Sequence, residues 1–261
     1  MCKIYSVTSQ KGGVSKTTTV CNLGAYLVNK GYKVLLIDTD SQGSLTASLG
    51  FGDPDSMDIT LSNVMEKEIN DENYNRRKYG ILHHPEGMDL LPGNIELSGI
   101  EVSLVNTWSR EFVLKKYIDN VKEFYDFIII DCASNLSLIT INSLVAADKV
   151  IVPVHAAYLS LKGLEQLFRT VGKVKKGLNP KLGIDGILIT MIDERTNYAK
   201  GILELLDIAY GKKIRVYKNK IPASVRAAEI SAEGKSIFVH DPKGKVAKAY
   251  KGFAEEVLAN E

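Results

Sequence analysis

Short apolar runs separated by longer segments of helical periodicity constrain this chain more than any other feature. The strand candidates are Ile4–Thr8, Lys33–Asp38, Phe127–Asp131, Lys149–Val154 and Ile184–Met191. Several are continuously apolar, as in Val34-Leu35-Leu36-Ile37, Ile128-Ile129-Ile130 and Val150-Ile151-Val152. Unbroken apolarity over so few residues implies burial on both faces of a sheet, the mark of parallel strands covered by helices. Helical periodicity fills Lys16–Lys30, Glu111–Glu123, Leu161–Lys176, Asn197–Tyr210 and Val246–Ala259, with Gly31 expected to close the first helix. The expected fold is α/β: a mostly parallel, twisted sheet with helices on both faces.

At 261 residues the chain sits near the upper end of what one hydrophobic core supports. No Pro/Gly/Ser-rich linker, repeat or low-complexity stretch divides it, so a single domain over 1–261 is expected. Phe51–Asn75 is the least regular stretch, polar and acidic, and is expected to leave the sheet as an excursion. Hydrophobic residues at 45% and charged residues at 25% exclude a disordered, collagen-like or coiled-coil chain. Three cysteines, Cys2, Cys21 and Cys132, suggest neither a disulfide framework nor a zinc cluster. No apolar run approaches the roughly 18 residues that would span a bilayer, and no charged-then-apolar leader precedes the first strand. A cytoplasmic protein is the expectation.

Charge is unevenly distributed. From Arg195 onward there are 13 Lys/Arg against 8 Asp/Glu, a net of +5, leaving 20 against 23, or −3, on the first 194 residues. A basic C-terminal quarter suits a polyanion partner or a merely solvated lysine-rich surface.

Chemistry concentrates after the first strand, in Lys11-Gly12-Gly13-Val14-Ser15-Lys16-Thr17-Thr18. A glycine loop between a strand and a helix can wrap phosphates with backbone N–H groups, and the helix N-terminus adds positive partial charge. Lys16 would reach β- and γ-phosphates and the Thr17 hydroxyl would ligate Mg²⁺. The strict pattern G-x-x-x-x-G-K-[ST] fails at both glycine slots, which hold Gln10 and Ser15. On the loop alone, an ordinary strand–helix turn stays open.

Asp131 ends a buried apolar strand, at the edge where open α/β sheets place ligands, and a buried carboxylate there suits Mg²⁺. Asp38 and Asp40 end the second strand with a spacing of two, so their side chains are expected to lean the same way. Helix capping or a structural ion pair is the alternative for these acids.

Lys-Gly-Gly-x-x-Lys-Thr-Thr resembles the deviant Walker A motif of the ParA/MinD superfamily of P-loop NTPase-like proteins. The resemblance runs on through Val34–Gly43, through Tyr125–Cys132 (like the family's Walker B strand), and through Leu138–Leu144, Thr190–Asn197 and Ile221–Arg226. Within the superfamily the chain most resembles the Soj-like, short ParA ATPases that partition DNA. This resemblance implies ATP and ADP as ligands with Mg²⁺, held by Thr17 and Asp131 with Asp38 in support. It implies Asp40 as the residue that activates water. It implies nucleotide contacts from Lys11, Gly12, Gly13, Val14, Ser15, Lys16, Thr17, Thr18, Met191 and Pro222. Lys11 would be the signature lysine that crosses to the partner subunit's phosphates in an ATP-bound sandwich homodimer. The expected partners are non-specific double-stranded DNA and a ParB-like, centromere-bound protein, with the ATP-bound form on the nucleoid.

Four residues depart from the family. Ser15 replaces a glycine, at a cost on the order of 1 kcal/mol if the slot needs positive φ. Ala133-Ser134 stands where relatives usually carry two prolines, which would loosen that loop. Ala223 replaces a frequent arginine. DNA contacts are expected from Arg226, Lys243, Lys245 and Lys248, with Lys173, Lys175, Lys176, Lys212, Lys213, Arg215 and Lys251 as further candidates. The first strand begins too early for an N-terminal helix-turn-helix, so DNA binding should be sequence-independent. Two other readings compete: a nucleotide switch acting on a protein client without DNA, and a MinD-like membrane-positioning ATPase. The latter needs a basic C-terminal amphipathic helix, whereas Glu255, Glu256 and Glu261 make this tail acidic, so no membrane partner is expected. The pair His83-His84 would fall on opposite faces if it lay in a strand, so a solvated turn is expected there and not a metal site.

Overall fold

The computed structural model describes residues 1–156, 161–193, 195–211 and 213–260. Their strands are β1 (Lys3–Val7), β2 (Val34–Asp38), β3 (Leu82–His83), β4 (Asp89–Leu91), β5 (Phe127–Asp131), β6 (Lys149–His155) and β7 (Gly183–Thr190). They form one sheet in the order β3-β4-β2-β5-β1-β6-β7, parallel throughout except for β3 against β4. The helices are α1 (Lys16–Asn29), α2 (Ser44–Ser48), α3 (Leu61–Ile69), α4 (Leu97–Leu104), α5 (Val113–Val121), α6 (Leu138–Ala146), α7 (Leu161–Gly177), α8 (Asn197–Leu206), α9 (Val225–Glu233), α10 (Ile237–His240) and α11 (Lys245–Leu258).

Successive side chains of a strand point to opposite faces, and here each strand feeds two cores. Ile4, Leu35, Ile37, Ile128, Ile130, Val150 and Val152 pack with α3 to α8. Tyr5, Val7, Val34, Leu36, Phe127, Ile129 and Ile151 pack with α1, α2 and α9 to α11. This is the physical reason the runs are continuously apolar: neither face meets water. The expected α/β architecture and all five expected strands are present, each within two residues of its anticipated ends.

The helices differ more at their ends. One turn of 3₁₀ helix flanks α5 on each side, at Arg110–Phe112 and Lys122–Phe124, and a single π turn, Asp207–Gly211, follows α8. Gly31 closes α1 as expected, at φ +89° with its N–H donating to the Val28 carbonyl at 2.8 Å. In α11, Val246, Tyr250, Phe253 and Val257 are buried in the core beside α1, so this stripe is spent on packing and not displayed. Among the described residues, no helix is long and apolar enough to cross a membrane.

Phe51–Asn75 is more ordered than its composition suggests. Thr60 and Asn63 cap α3 reciprocally, the Thr60 N–H donating to Asn63 Oδ1 at 2.8 Å. Leu61, Val64 and Met65 then face the core. The acidic Glu68 is buried as well, held by Arg76, Tyr74 and Lys116. Beside β3, the His83 side chain is exposed whereas His84 is buried with Nε2 3.1 Å from the Gly234 carbonyl, so the rings point apart but only one is solvated.

Candidate active site

The sheet order sets β2, β5 and β1 side by side, so their carboxyl ends form one edge. In register, Val7 lies beside Asp131 and Asp131 beside Asp38. The chain leaving β1 becomes the glycine loop, with Gly13 at φ +68° and Ser15 at φ 62° and ψ 33°. Ser15 therefore occupies the left-handed region that favours glycine, at a strain on the order of 1 kcal/mol. Its carbonyl opens α1 by accepting from the Thr19 N–H at 2.9 Å and hydroxyl at 2.7 Å. No side chain caps α1, so its first N–H groups stay turned toward the loop.

Lys16 is buried to 8% exposure, unusual for a lysine. Its ammonium donates to Ser134 Oγ at 2.7 Å and to the Lys11 carbonyl at 3.4 Å. An ammonium has three N–H donors, so one remains for an anion in the loop. Val14 is buried, Gly12 and Gly13 are exposed, and Thr18 is half-buried on the first turn of α1. The Lys11 carbonyl faces the loop, while the residue as a whole is exposed.

The Thr17 hydroxyl donates to Asp131 Oδ2 at 2.7 Å. Asp131 Oδ1 is buried and has no hydrogen-bond partner among the described residues. Burial pushes the Asp131 carboxyl up to about 8, and the neighbouring Asp38 charge adds to the shift, with Thr17 and Lys16 opposing it. Such an orphaned, desolvated carboxylate oxygen is costly unless it meets a cation.

Asp38 has a different environment. Its Oδ2 accepts from the Thr46 N–H at 2.9 Å and hydroxyl at 2.8 Å, and its Oδ1 from the Asp40 N–H at 3.2 Å. Burial raises its carboxyl to about 6, held back by the bonds from Thr46. Asp38 thus ties α2 and the following turn to the end of β2. The alternative of helix anchoring, left open by the sequence, describes its observed contacts. Gly93 presses on the same spot: a Cβ there would lie 2.5 Å from the Asp38 carbonyl oxygen. Asp40 lies past the end of β2 and not on it, half-buried, with its Oδ1 accepting from the Gln42 N–H at 3.1 Å.

On the other side of the loop, β7 is followed by Met191 at φ 51°, and Ile192 bridges to Pro222. Met191, Pro222, Val225 and Tyr250 join Ser15 and Thr18 around a cleft of about 650 Å³. The fold therefore gathers the loop, the two acids and the Met191–Pro222 pair around one edge.

The basic candidates are not all gathered. Arg226 on α9, Lys243 just before α11, and Lys245 and Lys248 in its first turn are exposed, and α9 and α11 both pack against α10. Arg226 pairs with Glu229 at 3.2 Å. Lys173, Lys175 and Lys176 sit on α7, which covers the opposite sheet face. Arg215 is engaged by Glu256 at 3.1 Å, and Lys212 lies outside the described residues. Sequence reasoning missed Thr46 altogether and noted Ser134 only as a departure. Neither carries a local signal, since each meets its partner only through the fold.

A protein-family model described as an AAA domain matches residues 2–184. The chain is 42% identical over 274 aligned residues to the sporulation initiation inhibitor protein Soj of Bacillus subtilis, covering all of both proteins. It is 38% identical over 258 residues to the chromosome partitioning protein ParA of Myxococcus xanthus, covering 98% of this chain and 88% of that one. In three dimensions it resembles cobyrinic acid a,c-diamide synthase from Mycobacterium smegmatis, solved with a bound ATP analogue and magnesium. That match has a TM-score of 0.86 at 35% identity and covers 99% of this chain and 95% of the other.

Proposed function

The chain belongs to the AAA-domain family and, within it, to the Soj/ParA chromosome-partitioning ATPases, and from there we propose that it hydrolyses ATP with Mg²⁺ to drive DNA partitioning. The observation that carries the chemistry is the pairing of Thr17 with Asp131, whose second oxygen is buried and unpartnered beside Lys16. Hydroxyl and carboxylate are the hard oxygen donors Mg²⁺ takes, so this donor set fits the ion. When bound there, Mg²⁺ would neutralise charge on the β- and γ-phosphates.

The remaining roles fall to the chain itself. The loop N–H groups and the α1 N-terminus cradle the phosphates, and Lys16 adds the ammonium charge. Met191 and Pro222 flank the nucleotide base. Asp40 orients and activates the attacking water, and Asp38 serves by holding Asp40 and α2 in place. Lys11 reaches the partner subunit's phosphates and stabilises transition-state charge as an arginine finger does.

The whole chain acts as one domain that forms a sandwich homodimer around ATP. The dimer presents two copies of Arg226, Lys243, Lys245 and Lys248 to duplex DNA of any sequence, and a ParB-like protein stimulates its turnover in the cytoplasm. Retention of the ATP-bound protein on non-specific duplex DNA, measured beside anionic liposomes, tests this. DNA retention alone is the expected result. Liposome retention would instead favour membrane positioning, and retention on neither a switch acting on a protein client.

A further inference from the structure

We infer that Ser134 is a positioning residue for Lys16, fixing the phosphate-loop lysine in its working place; the consequence for ATP rests on the function proposed above. The Lys16 Nζ to Ser134 Oγ bond is 2.7 Å, the shorter of the two that hold the ammonium. It links two loops separated by 118 residues, and the two loops touch nearby as well, since a Cβ on Gly12 would lie 3.7 Å from the same hydroxyl. The Ser134 loop is itself anchored at both ends. The Cys132 N–H donates to the Val7 carbonyl at 3.1 Å, and the Thr140 hydroxyl donates to the Asn135 carbonyl at 2.8 Å.

Three physical points make this more than a passing contact. Hydrogen bonds from a charged donor are roughly twice as strong as neutral ones. A buried lysine whose long stem is free to rotate loses rotamer entropy on meeting a phosphate, and a bond that fixes the head beforehand removes much of that loss. Finally, Ser134 leaves one ammonium N–H uncommitted, so it fixes the group without exhausting it.

Two measurements test the inference. The first is independent of nucleotide: acylation of Lys16 by a small amine-reactive ester, followed by peptide mass spectrometry. Ser134→Ala should increase the Lys16 labelling rate several-fold over wild type, and Ser134→Thr, which keeps the hydroxyl, should restore protection. The second is the Kd for ATP with Mg²⁺, expected to rise about tenfold in Ser134→Ala and to recover in Ser134→Thr. Unchanged labelling in Ser134→Ala would overturn the positioning role. So would ATP binding as tight as wild type or tighter, the latter because it would make the bond a latch that nucleotide must break. If wild type bound no ATP yet Lys16 labelling still depended on the hydroxyl, the nucleotide assignment would fall and the positioning of Lys16 would stand.

Discussion

Thr17 and Asp131 stand 114 positions apart in the sequence and 2.7 Å apart in the fold, the hydroxyl donating to Asp131 Oδ2. The other oxygen is buried without a partner among the described residues, so at neutral pH folding without a cation must either hold an unpaired charge or take up a proton, and both cost stability. Asp131→Asn removes the ionisable group and keeps the shape. It should abolish Mg²⁺-dependent ATP turnover yet raise the metal-free stability, by an amount on the order of 1 kcal/mol. Calorimetry and a phosphate-release assay on the same preparation check both. A lowered midpoint together with retained turnover would remove Asp131 from the metal site.

Asp40 is tethered by its own N–H to Asp38 and lies outside the phosphate loop. Asp40→Ala should leave ATP binding near wild type, cut turnover by about a hundredfold or more, as expected when general-base help is lost, and accumulate the ATP-bound dimer. Undiminished hydrolysis would take Asp40 out of the mechanism.

Lys11 contributes its carbonyl to its own loop through Lys16, and substitution of its side chain leaves that carbonyl in place. Lys11→Ala should therefore still bind ATP but elute as a monomer with a non-hydrolysable analogue and turn over far more slowly. Size-exclusion chromatography decides: a normal dimer with normal turnover reduces Lys11 to a surface lysine.

Arg226 is exposed at the start of α9, with Glu229 as its only ion-pair partner among the described residues. Arg226→Glu should weaken DNA binding by a similar factor on every duplex tested, and leave ATP-driven dimerisation intact. The wild-type affinity should fall steeply between low and physiological salt, since each phosphate contact releases counterions. A mutant that binds as wild type at low salt would move the DNA surface elsewhere.

His240 joins α10 to α9, with Nε2 3.2 Å from Glu229 and Nδ1 3.1 Å from Glu233. These bonds raise the imidazole above its ordinary 6.5 and hold Glu233 below its ordinary 4.5. A histidine with a raised folded value stabilises fully below 6.5 and loses that contribution as pH rises through the folded value. Glu233 behaves oppositely, losing its contribution as pH falls below 4.5. The clamp is therefore strongest between these limits. Raising the pH from 6 to 8.5 should cost wild type more unfolding temperature than His240→Gln, and equal losses would show that His240 carries no such linkage. Lys235 and Arg226 also pair with these glutamates, Lys235 with Glu233 at 3.4 Å and Arg226 with Glu229 at 3.2 Å.

Legibility in the sequence followed distance along the chain. The five long strands and the phosphate loop could be read because their signals are local: unbroken apolarity, and glycines beside a lysine and threonines. Strands β3 and β4, at two and three residues, and helices α2 and α10, at five and four, are too short to show a period. Helix α3 was hidden by its charges, because Glu68 looks exposed until Arg76 and Lys116 are seen folding back onto it. Asp38 was visible as an acid near the site, but its tie to Thr46 depends on a helix the sequence did not announce. The serine holding Lys16 could be seen only as an oddity, since its partner lies in another loop.

The position of β5 between β1 and β2 bears on how the protein is made. Strands β1 and β2 share no hydrogen bond; they stand two strand spacings apart, about 10 Å, with β5 filling the gap. A nascent chain that has emerged only as far as residue 126 therefore carries both strands, and the glycine loop, without the strand that unites them. At translation speeds of about 5–20 residues per second, that interval lasts several seconds, during which two apolar strands lack their central partner. Phosphate loop and carboxylates come into register in the same event that closes the sheet, so a ribosome-bound fragment shorter than this point should show neither protease resistance in β1 nor a formed nucleotide site.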